Sequence, residues 1–147
     1  MRRSAILATA LLGTFLVAGV ATASNHVTTL STTLSGSEEI GGGDSNGKGF
    51  VALEIFANGT ICYEGKVQAI GRALTGAHIH VGVAGANGPV VVDLDPFNAE
   101  ITGNKAEHCV VTTAELAGAI VANPTGYYVN VHTTAYPGGA IRGQLGD

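Results

Sequence analysis

The sequence predicts an all-β protein: an antiparallel β-sandwich or open barrel of seven or eight short strands with one short helix. Three observations lead there. Apolar residues recur at every second position in several separate runs, the period of a half-buried strand. Turn residues punctuate those runs, above all Asn58-Gly59 and Tyr136-Pro137-Gly138-Gly139. One segment alone, Thr112–Gly126, carries a helix-start signal.

The elements follow in chain order. Met1-Arg2-Arg3 is a basic start and Ser4–Val20 is apolar without a charge. Ala21-Thr22-Ala23 fits a small-residue cleavage site. Residues 1–23 therefore read as a signal peptide, with Ser24 the first mature residue. The alternative is an uncleaved anchor, for which the run sits near the lower length limit. No later stretch is long and apolar enough to span a bilayer, so the expected location is secreted or periplasmic, with no membrane span once the leader is removed. Residues 24–36 form an N-terminal segment and the first, Thr-rich strand. Ser37–Gly49 reads as a mobile loop.

Phe50–Ile70 is the clearest signal. Val51, Leu53 and Ile55 alternate, as do Ile61, Tyr63 and Val67, and Asn58-Gly59 between them predicts a type I′ hairpin turn. Cys62, Glu64 and Lys66 then point away from the apolar face. In Thr75–Leu94, Ala77, Ile79 and Val81 alternate with His78 and His80. Gly82–Gly88 is a loop, and Pro89–Leu94 is a strand whose continuous apolar character predicts burial on both faces or a covered edge. Residues 95–107 form a connection, and His108–Val111 is a short strand. Thr112 followed by Glu115 reads as a capping box, with Leu116, Ile120 and Val121 as the apolar face and Asn123-Pro124 as the stop. A second hairpin closes the chain. Val129 and Val131 face in, Asn130 and His132 face out, and Ile141, Gly143 and Leu145 alternate with Arg142 and Gln144.

Charge narrows the partners. The chain carries 7 basic and 11 acidic residues; without Arg2 and Arg3, 5 face 11, a net of −6. Nucleic acid demands a basic patch and is excluded as a partner. An unidentified extracellular protein or surface ligand is expected instead. The two cysteines, Cys62 and Cys109, read as one disulfide in an exported chain, worth roughly 3–4 kcal/mol; two free buried thiols are the alternative.

"LSGSEE", "GAHIHVGVAGANGPVVVDL" and "LAGAIVANPTGYYVNVHTTAYPGGAIRGQL" together resemble the CHRD domain, over about Leu34 to Leu145. The resemblance places that domain at residues 34–146. It implies an immunoglobulin-like or copper-zinc-superoxide-dismutase-like sandwich and attaches no general enzymatic activity. One departure is Ile40-Gly41-Gly42-Gly43, where many members have prolines. "GAHIHVG" also resembles the dismutases' copper-binding stretch and "GGAIRGQLGD" their C-terminal region, but the histidine-rich zinc loop is missing.

The chemistry rests on three histidines. His78 and His80, two apart on a strand, share a side. His132 lies on the outer side of its own strand, and if the two strands are neighbours the three converge. Imidazoles suit copper or zinc, and three of them leave one coordination position open. The alternative is a metal-free polar network with Asn130 and Arg142. Arg142 is expected to pair with a carboxylate, Asp93 or Glu54. The glycine loop lacks a phosphate-binding ending, and no nucleophile is visible for a hydrolase. The sequence thus reads as a secreted, non-catalytic binding, adhesion or matrix module. The alternative is an exported copper- or zinc-binding protein, with redox activity open to it.

Overall fold

The computed structural model describes residues 27–70, 74–94 and 105–146. The expected signal peptide, His26 and most of the connection after Leu94 lie outside these residues. Eight antiparallel strands form one continuous sheet: β1 (Val27–Ser35), β2 (Lys48–Phe56), β3 (Thr60–Gln68), β4 (Leu74–Val81), β5 (Val90–Asp93), β6 (Lys105–Val111), β7 (Tyr127–Thr133) and β8 (Ile141–Gln144). Among the described residues one α-helix, α1 (Ala114–Ala122), stands between β6 and β7. The order across the sheet is β5-β4-β7-β8-β1-β2-β3-β6. The two halves meet at one register pair, Ser35 opposite Arg142, where the sheet turns back on itself. The antiparallel all-β fold with one short helix is the one the sequence predicts.

Alternation explains the core. Leu53, Ile55 and Ile61 of one half meet Ile79, Val129, Val131 and Ile141 of the other in a single apolar cluster, with Ala117 and Ile120 of α1. Tyr63 spans the cluster and donates its hydroxyl hydrogen to the Leu94 carbonyl at 2.8 Å. On the outer side of β3 and β6, Cys62 and Cys109 stand directly opposite and are disulfide-bonded, as expected.

Local chemistry differs from the expectation at four places. The β2–β3 turn has three residues, and only Gly59 takes positive φ (94°); Asn58 stays right-handed and accepts the Thr60 N–H on its side chain. That is a type I turn with a glycine bulge, not type I′. The helix cap is Thr113 rather than Thr112: its hydroxyl accepts the Leu116 N–H at 3.1 Å, while the Thr112 N–H is spent on the Gly59 carbonyl. The β5 edge is half covered, with Val92 buried and Val90 exposed. The Ser37–Gly49 loop is pinned, through Asp44 N–H to the Ala140 carbonyl and Gly36 N–H to the Gly47 carbonyl.

Candidate metal centre

The outer side of β4, β7 and β8 carries His78, His80, Tyr128, Asn130, His132, Arg142 and Gln144. Register sets their positions. His80 lies opposite Tyr128, and His78 opposite Asn130. Asn130 in turn faces Arg142 on β8, and His132 pairs with Gly76, one step along from His78. Pairing with a glycine leaves room beside it for two imidazoles. The ring centroids of His78 and His132 are 4.9 Å apart, those of His78 and His80 5.7 Å, and those of His80 and His132 6.1 Å. The structure thus brings the three histidines together.

Each ring has one nitrogen facing an oxygen and one facing its neighbours. His80 Nδ1 donates to the Gly88 carbonyl at 2.9 Å, and His132 Nδ1 to the Pro137 carbonyl at 3.1 Å. A carbonyl only accepts, so both Nδ1 atoms carry the hydrogen and both Nε2 atoms carry a lone pair. His78 Nε2 lies 3.8 Å from Asp93 Oδ1 on the edge strand. The remaining nitrogens, His78 Nδ1, His80 Nε2 and His132 Nε2, are buried without a hydrogen-bond partner. Ligand atoms of the three residues lie within 4.8 Å of one another. Atoms no farther apart than this share a centre within about 2.8 Å (4.8/√3) of each. Closing to the 2.0–2.1 Å of a metal–imidazole bond needs each ring to move by no more than about 0.7 Å.

The electrostatics favour the neutral form of His80 and of His132. Burial lowers the affinity of His80 for a proton, opposed by the Gly88 hydrogen bond and helped by His78 and Arg142 nearby. Burial likewise lowers that of His132, with His78 and His80 adding to the effect and the Pro137 bond opposing it. A neutral imidazole is the form that binds a metal.

Arg142 does not take the expected Asp93 or Glu54 as its partner. It is 2 % exposed and donates to the carbonyls of Val83 (3.2 Å) and Ala86 (2.9 Å) and to Asn87 Oδ1 (3.3 Å). Its guanidinium carbon lies 3.4 Å from the centre of the Tyr128 ring, and Tyr128 stacks on His80 with 10° between planes. Arg142, Tyr128 and His80 form a layered stack whose ends are both tied to the Gly82–Gly88 loop. Asp93 sits instead beside His78, and Glu54 lies on the other half of the sheet, opposite Cys62.

The CHRD domain model matches residues 30–145. The chain belongs to the CHRD domain family. Neither a curated protein nor a solved structure matches it. In this CHRD domain two participants escape a reading by strand alternation. Glu39, from the β1–β2 loop, reaches over the outer face; burial pushes its carboxyl up to about 7, against the pull of Arg142 and of a hydrogen bond from Asn130. Gly88 supplies the carbonyl for His80. Glu39 lies inside the "LSGSEE" family stretch and so left a trace in the sequence; the Gly88 carbonyl left none.

Proposed function

We propose that this CHRD domain is an exported, non-catalytic metal-binding module that holds a copper or zinc ion through His78 Nδ1, His80 Nε2 and His132 Nε2. One observation carries the reading: the three rings converge with ligand atoms within 4.8 Å of one another and each keeps one buried nitrogen without a partner, while the opposite nitrogens of His80 and His132 donate to carbonyls. That is how a protein fixes tautomer and ring direction for a ligand. A metal-free network, the competing arrangement, would use these three nitrogens to bond one another or Asn130, and it leaves them unpaired. Three neutral imidazoles with one open place favour Cu²⁺ over the other divalent ions at equal supply, with Zn²⁺ next in fit. The disulfide suits an oxidising compartment, which supports export.

Calorimetric titration of the purified protein with Cu²⁺ and with Zn²⁺ tests the reading. The expected result is submicromolar binding of one ion per chain, lost in His80→Ala and in His132→Ala. No heat above buffer in the wild type, or binding unchanged in both variants, overturns it.

A further inference from the structure

Three histidines fill three places, and the same face holds an orphan that they do not explain. Asn130 is 3 % exposed, and its Oδ1 is buried with no hydrogen-bond partner. Its amide nitrogen is occupied, because the bond it makes lowers the Glu39 pKa and so must donate to the carboxylate. Glu39 comes in from the β8 side. A Cβ added to Gly139, in the turn before β8, would lie within 2.7 Å of the Glu39 carboxylate atoms. The two polar ends of an amide point opposite ways. On β4, His78 is the register partner of Asn130, and His132 lies two residues along its own strand.

We propose that Asn130 is a positioning residue for whatever occupies the fourth place on the metal, its Oδ1 accepting a hydrogen bond from that ligand. The proposal rests on the metal reading above. A pure acceptor aimed at the open place selects by chemistry. Water, or another ligand with a hydrogen to give, satisfies Oδ1. A small anion with no hydrogen leaves it buried and unpaired and sets lone pair against lone pair. Sites built around a buried hydrogen bond reject ligands that cannot make it. When ionised, the Glu39 carboxylate keeps the amide from turning over, since only Nδ2 can donate to it.

Azide, which has no hydrogen, is the probe. Wild type, Asn130→Leu and Glu39→Gln are loaded with Cu²⁺, copper uptake is measured by calorimetry, and azide is titrated against the copper absorption spectrum. Asn130→Leu keeps the size and removes the acceptor. It is expected to bind azide about tenfold more tightly, one hydrogen bond's worth, with copper affinity within about threefold of wild type. Glu39→Gln, which frees the amide to turn, is expected to lie between. Equal azide affinity in wild type and Asn130→Leu overturns the positioning role and leaves the metal reading standing. If Asn130→Leu does not fold, Glu39→Gln decides: azide affinity equal to wild type overturns the role. Wild-type protein that takes up no Cu²⁺ overturns the metal reading and this role together.

Discussion

Replacing Arg142 with methionine keeps the buried stem and removes the fork. The guanidinium makes one hydrogen bond of good length, to Ala86 O at 2.9 Å, and two long ones, to Val83 O at 3.2 Å and Asn87 Oδ1 at 3.3 Å. A hydrogen bond to a charged group contributes about 1.5–3 kcal/mol, and the long ones belong at or below the lower end. The stack on Tyr128, away from water, adds about 2 kcal/mol. Against these stands relief from burying a cation, which an apolar side chain of similar size no longer requires. The two loop carbonyls left behind cost about 1–3 kcal/mol where water does not reach them. The net expectation is a loss of about 3 kcal/mol in urea unfolding at neutral pH, with the slope unchanged. Copper affinity should fall about 10–100-fold, because the loop that Arg142 holds ends at Gly88, whose carbonyl orients His80. Asn87→Ala, which removes only the longest bond, should cost under about 1 kcal/mol. If Arg142→Met loses less than about 1 kcal/mol, or leaves copper binding untouched, Arg142 is not what fixes the loop and its histidine.

Four further outcomes follow from the same geometry. Glu39 has a folded pKa of about 7 against an ordinary 4.5, so the stabilisation it provides is fully present below about 4.5 and is lost as pH rises through about 7. After solvent screening of this half-buried group the effect is about 1 kcal/mol; Glu39→Gln should flatten it in urea midpoints taken across that range. His80 and His132 act the other way in the metal-free protein: their depressed affinities cost stability as pH falls below 6.5, and His80→Gln should lessen that fall. Gly88→Ala would set a Cβ 1.6 Å from the Val81 carbonyl oxygen, so the loop must move; a loss above about 2 kcal/mol in unfolding and a large loss of copper affinity are expected together. Opening the Cys62–Cys109 bridge, which joins residues 47 apart, by a double change to alanine should cost about 4 kcal/mol yet spare copper affinity, since the bridge sits on the other half of the sheet.

Alternation made half of this molecule legible. Val51, Leu53, Ile55, Ile61 and Tyr63 repeat with the period of the pleat, and all are buried in the core. The same period puts His78 and His80 on one side and His132 with them once β4 and β7 are neighbours. It also marks Asn130, Arg142 and Gln144 as facing out, which in an ordinary sheet means facing water. Here it does not: all three are buried, at 3 %, 2 % and 8 % exposed. The cover is the Gly82–Gly88 loop and Glu39, which contribute carbonyl oxygens and one carboxylate. A backbone carbonyl has no letter in a sequence, so nothing announces that Val83, Ala86 and Gly88 will receive Arg142 and His80. Arg142 therefore looked like half of an ion pair when its partners are mostly main chain. The hairpin turn and the helix cap missed for a smaller reason: Asn58-Gly59 suits two turn types, and Thr112 and Thr113 are both able to cap.

The two faces of the β4-β7-β8 layer answer to different demands. The inner face is apolar and closes against the other half, and it accounts for folding without help from the histidines. The outer face collects every buried side-chain atom without a partner among the described residues: Glu39 Oε1, His78 Nδ1, His80 Nε2, Asn130 Oδ1, His132 Nε2 and Gln144 Oε1. Such atoms cost about 1–3 kcal/mol each, and folded domains keep few of them. Scattered orphans would be imperfections of packing; six on one face fit the proposed metal site better than chance packing does. A ligand that satisfied them would favour the folded state over the unfolded one. If the reading is right, the unfolding midpoint in urea should rise with free Cu²⁺ and keep rising with its logarithm, by about 1.4 kcal/mol per tenfold once past the dissociation constant. His132→Ala removes one ligand while leaving the inner face whole. It should erase the copper dependence while leaving the metal-free midpoint near that of wild type, and a dependence that survived that change would place the copper elsewhere.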